Sequence, residues 1–467
     1  MLASLWLRPI GSSFWLDELG TWWVVKDGIR EAISRSASIQ GQSPIYYLVA
    51  WVTRHVAGPS ELAMRAPSIV FAGLSAVVLY WLGKRILDAE LARLAVIVFV
   101  VWPAVAFSAA DARPYAMATL AVVAATAMFV RWLDGGSVKA GVAYVLLAAS
   151  VIYIHFLFGL VLLPHACYAF FRKREGSTPV PTRELVLAGS GIVVLVAPLA
   201  YQVVALWGRR QDWNVSSTAS VTWVVAVVLP ATFAGAAVLG GAVAAARGGF
   251  KFAFPTIRQS DLVLLVSWLV VPLAILVGAS IVSPVRLLQV RYTLVSAPAA
   301  ALLVALALRS VEPPVARRII VLVLAVLSVL ELANPHHATD WRTAMTIAAS
   351  MADRDTVVLV QPGFTESDQL SWFTDPERRS FLLAPVSYYP VPGRIVLLPA
   401  NIDPSTEGFV RQQIRSALPG ADRVILITPG SPGTVPWVNQ FLGRRWVEHD
   451  IPTQEVPTVS EFTHRSG

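Results

Sequence analysis

The run "MRAPSIVFAGLSAVVLYWLG", residues 64–83, decides the fold class. It is apolar and nearly free of charge, and at about 1.5 Å per helical residue it spans the roughly 30 Å of a bilayer's hydrocarbon. Nine comparable runs follow, near 93–109, 114–131, 140–155, 156–171, 184–207, 221–246, 261–282, 291–309 and 317–333. The composition agrees: 56% of the chain is hydrophobic and 14% charged, where a soluble domain carries about a quarter charged residues. Hydrocarbon offers no water to the backbone, so segments of this kind cross as helices packed together. The chain reads as an α-helical polytopic membrane protein with a bundle of about ten helices over 64–333.

Charge orients it. Alternate loops, at 84–93, 131–139, 172–183, 247–258 and 309–318, carry fifteen Lys and Arg. The opposite loops carry five: Arg113, Arg209, Arg210, Arg286 and Arg291. The richer set is therefore expected in the cytoplasm. Residues 1–63 and 334–467 then lie outside, and the net charge of +8 belongs mainly to the inner loops, not to a nucleic-acid surface. The single cysteine, Cys167, falls within a span, so neither an intrachain disulfide nor a thiolate metal site is expected. Ten spans ending outside also need an outside start. Eleven residues before Ser12 cannot cross a bilayer and do not read as a signal peptide, so a further opening helix is expected to be encoded upstream of Met1.

The outer segments have their own character. In 1–63, Leu19, Trp22, Trp23, Ile29 and Ile33 share one helical face, which predicts an amphipathic helix in the interface with its tryptophans at headgroup depth. "GQSPIYYLVAWV" (41–52) then gives a turn and a second short apolar helix. In 334–467 the runs "TVVLVQP" (356–362), "RIVLLP" (394–399) and "RVILIT" (423–428) alternate with helical patterns near 340–352 and 406–417. They predict a small extracytoplasmic α/β domain with a largely parallel sheet. The stretch "PGSPGTVP" (429–436) lacks the lysine and spacing of a phosphate-binding loop.

Five polar clusters fall at the predicted outer face: "SSFWLDELGT" (12–21) with Asp17 and Glu18, "SAADARPYAMATL" (108–120) with Asp111, Arg113 and Tyr115, "IYIHFLFG" (152–159) with Tyr153 and His155, "LLQVRYTL" (287–294) with Arg291 and Tyr292, and "HHATDWRTA" (336–344). Each also has a plain structural reading. Asp17 and Glu18 suit a helix start, Asp111 can cap the span that Pro114 opens, and interfacial arginines and tyrosines commonly anchor helices. Their convergence on one face suits an anionic ligand together with a proton-abstracting base.

The ordered motifs "FWLDELGT", "SPIYYL", "DARPYA", "YIHFLFG", "VRYTL" and "TDWRTA" resemble those of bacterial GT-C glycosyltransferases of the family 39-like type, relatives of protein mannosyltransferases and of the lipid A aminoarabinose transferase. The resemblance spans 12–345. It implies a multispan enzyme that moves a sugar from a polyprenyl-phosphate donor to an extracytoplasmic glycan, glycolipid or protein, with inversion. Gln42 and Ser43 stand where relatives carry His-Pro, and Asp111 stands where they carry glutamate.

Under that reading the phosphate leaving group needs guanidinium partners, Arg113 and Arg291, with His155 beside them. The acceptor hydroxyl needs a base, Asp17, which Glu18 orients. Asp111, Tyr115, Tyr153 and Tyr292 support them. Asp17 or Glu18 with water could take a divalent cation such as Mg or Mn, although no complete ligand set is readable. The competing classes are a transporter or lipid flippase, which would keep ionisable groups near the bilayer midplane, and a non-catalytic scaffold that uses the α/β tail.

Overall fold

The computed structural model describes residues 8–208, 257–282, 287, 289–309, 314–331, 339–430, 433–451, 453 and 456–464. Three short helices open the chain: α1 (Leu16–Val25), α2 (Ile29–Ser38) and α3 (Ile45–Ala57). Pro44 precedes α3, and Gly58, at φ 89°, ends it. Ser60 then caps α4 (Glu61–Ile86), its Oγ accepting from the Ala63 N–H at 3.3 Å.

Among the described residues six helices are long and apolar enough to cross a membrane: α4, Tyr115–Gly135, Phe156–Arg174, Thr182–Gly208, Gln259–Val282 and Val290–Arg309. The pair Ala89–Val101 and Pro103–Ala109 is apolar enough to make a seventh if it counts as one span, and it is bent by 67° where Pro103 interrupts the helix. Val138–Ile154 is apolar but shorter, and Pro314–Glu331 is helical. The expected span at 221–246 lies outside the described residues. Sidedness of the helices is legible in their exposure. On α4, Val70, Leu74, Val77 and Trp81 are exposed at helical spacing, while Ala72, Ser75, Leu79 and Leu82 are buried. An outward apolar stripe of this kind faces lipid.

The C-terminal unit carries a five-stranded sheet of β1 (Val357–Val360), β2 (Arg394–Leu397), β3 (Arg423–Thr428), β4 (Trp446–Ile451) and β5 (Thr458–His464). The order is β2-β1-β3-β5-β4, with β1 parallel to β2 and β3, and β5 antiparallel to β3 and β4. The three expected strands are the parallel ones. The antiparallel hairpin is a finding of the structure, because "WVEHDI" and "TVSEFTH" mix polar with apolar residues as half-exposed strands do.

The expected interfacial helix is corrected. A single face running from Leu19 to Ile33 does not form, because the chain breaks between α1 and α2. Trp22 and Trp23 are buried in protein, at 8% and 0% exposure, and so are not open to lipid headgroups. Trp23 meets Phe381 edge-on at 5.4 Å and donates through Nε1 to Ser380 Oγ at 3.1 Å, and Trp22 meets Tyr388 at 5.1 Å. The opening segment and the C-terminal unit thus share one hydrophobic core, which lies over one end of the bundle.

Candidate active site

Asp17 and Glu18 are adjacent on α1, and a helix turns about 100° per residue, so they point to different places. Glu18 points into the protein and is fully buried. Its Oε1 accepts from Arg65 Nε at 2.7 Å and from the Ala112 N–H at 2.8 Å. Its Oε2 accepts from Arg65 Nη2 at 2.5 Å and from the Trp15 N–H at 3.3 Å. Arg65, also fully buried, donates its other N–H groups to the carbonyls of Pro9, Ile10, Ser12 and Ser13. The expectation of Glu18 as a catalytic group or metal ligand is therefore corrected: both oxygens are occupied, and neither reaches open space. Arg65 gives no signal in the sequence, because an arginine in the first turns of a span passes for an interfacial anchor.

Asp17 faces a cavity of about 500 Å³. Arg291 Nη1 donates to its Oδ2 at 2.9 Å, and Arg113 Nη2 lies 3.9 Å from the same oxygen. Arg113 Nη1 is held by the Asp17 carbonyl at 3.2 Å, Thr21 Oγ1 at 3.3 Å and Gln40 Oε1 at 3.4 Å. Arg291 rests over the Trp15 indole at 5.6 Å and the Tyr292 ring at 5.5 Å, aromatic faces that favour a cation. Both Nε atoms are buried and lack a hydrogen-bond partner among the described residues. Three separated stretches of sequence thus bring one carboxylate and two guanidiniums to one wall.

Asp111 is fully buried and does not line the cavity. Its Oδ1 accepts from Trp15 Nε1 at 3.1 Å, and its backbone carbonyl accepts from Ser68 Oγ at 2.6 Å. Burial, with the Glu18 charge nearby, holds its carboxyl well above the usual range. Asp111 therefore fixes Trp15, and Trp15 supports Arg291. His155 lies in the break between Val138–Ile154 and Phe156–Arg174, packed against Tyr115, Tyr292 and Phe158. Burial and the Arg113 and Arg291 charges push its imidazole down to about 3. It can offer an anion a neutral hydrogen bond but no charge. Tyr115 is buried behind Arg113, and the Tyr153 hydroxyl is taken up by the Leu195 carbonyl at 2.9 Å, so it stiffens the wall instead of reaching for a ligand.

Part of the lining is missed by sequence reasoning. Gly363, Phe364, Thr365 and Glu366 line the cavity from the C-terminal unit, and Gln42 joins Gln40, the partner of Arg113, from the turn before α3. Charge in a soluble tail carries no signal of its own, so nothing marks Glu366 in the sequence. Gly363 adopts φ +77°, and a Cβ there would stand 3.0 Å from Leu16 Cδ1 and 3.3 Å from Pro429 Cγ. Only glycine lets that loop lie against the residue before Asp17. Among the described residues no three His, Cys, Asp or Glu side chains gather as a metal site. With Glu18 enclosed, Asp17 alone of the expected pair could meet a cation.

Comparison with known proteins bears on this arrangement. Residues 41–202 match the family described as "Dolichyl-phosphate-mannose-protein mannosyltransferase". No curated protein matches the chain significantly. Two solved structures of ArnT from Cupriavidus metallidurans share the fold. The apo form superposes with a TM-score of 0.57 at 12% identity, covering 98% of this chain and 96% of that one. The form bound to undecaprenyl phosphate gives 0.58 at 12% identity, covering 100% and 97%. The chain thus has the fold of these two structures, and the family match falls on the stretch that holds "SPIYYL", "DARPYA" and "YIHFLFG".

Proposed function

We propose that this protein is a membrane glycosyltransferase that moves a sugar from a polyprenyl-phosphate donor to an acceptor outside the cytoplasmic membrane, with inversion. The observation that carries the reading is the pairing of Arg113 and Arg291 around Asp17 in the cavity at one end of the bundle. Supporting it are the family matched over 41–202 and the undecaprenyl phosphate bound to one of the two similar ArnT structures.

The chemistry follows from these groups. A donor phosphate brings two oxygens that compete with Asp17 for the guanidiniums, and planar forks suit that geometry. Displaced from Arg291, Asp17 is left to accept the proton of the acceptor hydroxyl as its oxygen attacks the anomeric carbon. The bond from that carbon to the phosphate oxygen breaks, and the phosphate leaves with the electron pair, its growing charge met by Arg113 and Arg291. One base serves an inverting displacement, with no covalent enzyme intermediate. His155 stays neutral and can donate to the departing oxygens. A divalent cation, if bound, would be held by Asp17 and would supply further positive charge against the leaving phosphate.

Mannose and arabinose are the leading sugars, and the site is assigned to the outer face of the cytoplasmic membrane. The test incubates purified protein with labelled polyprenyl-phosphate sugars and identifies product by mass, with Asp17→Asn alongside. Label transferred equally by both proteins, or by neither, overturns the assignment. For sidedness, cysteine at Ser405 should label with an impermeant reagent in intact cells and cysteine at Ser177 should not.

A further inference from the structure

The turn between α2 and α3 carries polar groups that the proposed chemistry leaves unused. Gln40, Gly41, Gln42 and Ser43 all line the cavity. The backbone of the turn is fixed. The Gln40 N–H donates to the Arg35 carbonyl at 3.2 Å and the Gln42 N–H to the Ser36 carbonyl at 2.8 Å. Gly41 adopts φ +62°, where a Cβ would overlap the Leu206 side chain. The two glutamines differ in how far they are committed. Gln40 Oε1 accepts from Arg113 Nη1 and from the Tyr47 hydroxyl, each at 3.4 Å, and the guanidinium fixes which way its amide points. Gln42 Oε1 has only that same Tyr47 hydroxyl, also at 3.4 Å. One hydroxyl proton serves two carbonyl oxygens, so Gln42 is loosely held and its amide can turn. Among the described residues Gln42 Nε2 has no acceptor. Ser43 Oγ, at 3% exposure, accepts from the Ile45 N–H at 3.4 Å, and its own proton has no acceptor among them either.

We propose that Gln42, with Ser43, reads the hydroxyls of the sugar on the donor lipid, and that the site selects a neutral sugar over a cationic aminosugar. This rests on the transferase reading and names its sugar class. Place comes first. Gln42 is joined to Arg113 through Tyr47 and Gln40, so it stands beside the guanidinium that meets the phosphate, where the ring attached to that phosphate comes to rest. Chemistry comes second. A sugar hydroxyl both donates and accepts, and an amide free to turn can answer either way, with the Ser43 proton as a further donor. Neither group carries charge. The carboxylates of the lining are engaged elsewhere, Asp17 by Arg291 at 2.9 Å and Glu366 by the Thr365 hydroxyl at 3.1 Å. An ammonium placed against Gln42 would be a poorly paired charge near Arg113. Gln42 and Ser43 are also the pair at which this chain departs from the motifs it resembles, so the selectivity belongs to this chain. Gln42 is a specificity residue in this scheme; the proton still goes to Asp17.

The test separates sugar from phosphate. Wild-type, Gln42→Met, Gln42→Glu and Ser43→Ala proteins in nanodiscs are titrated with undecaprenyl phosphate, bare or carrying mannose, arabinose or aminoarabinose. Wild type should bind a neutral-sugar lipid more tightly than the bare lipid, and arabinose more tightly than aminoarabinose. Gln42→Met keeps the length and loses the amide. Its affinity for the bare lipid should stay within about twofold, while that for the preferred neutral sugar should fall about tenfold. Ser43→Ala should fall about threefold in the same direction. Gln42→Glu keeps an acceptor and adds a charge, so it should reverse the order of arabinose and aminoarabinose. These last two variants carry the comparison where Gln42→Met fails to fold. Neutral-sugar affinity unchanged in the variants, bare-lipid affinity that falls in step, or a wild-type preference for aminoarabinose would overturn the proposal. If the binding pattern holds but wild type transfers no sugar, the role of Gln42 stands and the transferase reading fails. If wild type and Gln42→Met transfer a neutral sugar with equal kcat/KM, the transferase reading stands and this inference fails.

Discussion

Glu18 and Asp17 are neighbours in sequence and opposites in setting. Glu18 is sealed with Arg65 in a network in which both its oxygens have partners, and Asp17 is held by arginines whose Nε atoms lack one among the described residues, at the edge of open space. The first arrangement has nothing left to offer a ligand. The second is unfinished in the way a binding site must be. For these two neighbours it is enclosure and the satisfaction of the carboxylate, more than the presence of charge, that separates a structural role from one available for chemistry.

The comparison breaks most visibly at the closed pair. Arg65→Met strands the Glu18 carboxylate in a dry interior, which typically costs about 3–5 kcal/mol. The protein should lose most of its folded yield in detergent, measured by size-exclusion chromatography and thermal inactivation. Adding Glu18→Gln removes the uncompensated charge, so the double variant should recover part of that loss. A single variant as stable as wild type would mean that the network does not hold the fold.

Asp17→Asn should do the reverse, with folding intact and turnover lost. Removing a general base costs about 10²–10⁴-fold, or roughly 3–5 kcal/mol of barrier. Undecaprenyl phosphate should bind it at least as well as wild type, because the asparagine competes less for Arg291. Near wild-type turnover in folded Asp17→Asn would remove Asp17 as the base.

The division between these residues is only half legible in the sequence. Charged residues in an apolar chain advertise themselves, which is why Asp17, Arg113 and Arg291 stand out before any geometry. Their sequence neighbours give the same signal, and nothing local distinguishes a carboxylate facing a cavity from one facing Arg65, 47 positions away. Asp111 looks like a cap and proves to hold Trp15. Trp22 and Trp23 look like lipid anchors because the residues that cover them, Phe381 and Tyr388, lie more than 350 positions on. Strands β1 to β3 are legible because burial on both faces writes a continuous apolar run; β4 is too exposed to do so.

A smaller change sharpens the open side. Arg291→Lys keeps the charge but loses the planar fork and its fit over Trp15 and Tyr292. Undecaprenyl phosphate affinity should fall about tenfold, or about 1.4 kcal/mol, just under the roughly 1.5–3 kcal/mol of a whole charge-assisted hydrogen bond because the charge is kept. Arg113→Lys should behave alike but also loosen α1, since Arg113 Nη1 holds the Asp17 carbonyl and Thr21. Equal donor affinity in wild type and Arg291→Lys would take the phosphate away from Arg291.

The smallest effect belongs to His155, which sits between the two settings: it lines the cavity, yet it is buried as deeply as a core residue. Its folded pKa of about 3 lies below the ordinary 6.5, so between those values the unfolded chain binds a proton that the folded protein refuses. Stability from this group is therefore complete above about pH 6.5 and is lost as the pH falls toward 3. One unit into that window, at about pH 5.5, the loss is about 1.4 kcal/mol. His155→Gln keeps hydrogen-bonding capacity and cannot titrate there, so its thermal inactivation midpoint should fall less than wild type's between pH 7 and 5.5. Between pH 6.5 and 8 the two proteins should show parallel profiles, because a neutral imidazole has no charge to lose. Parallel curves across the acid range as well would mean that His155 is protonated in the folded protein, and that its place beside two arginines is filled by a cation after all.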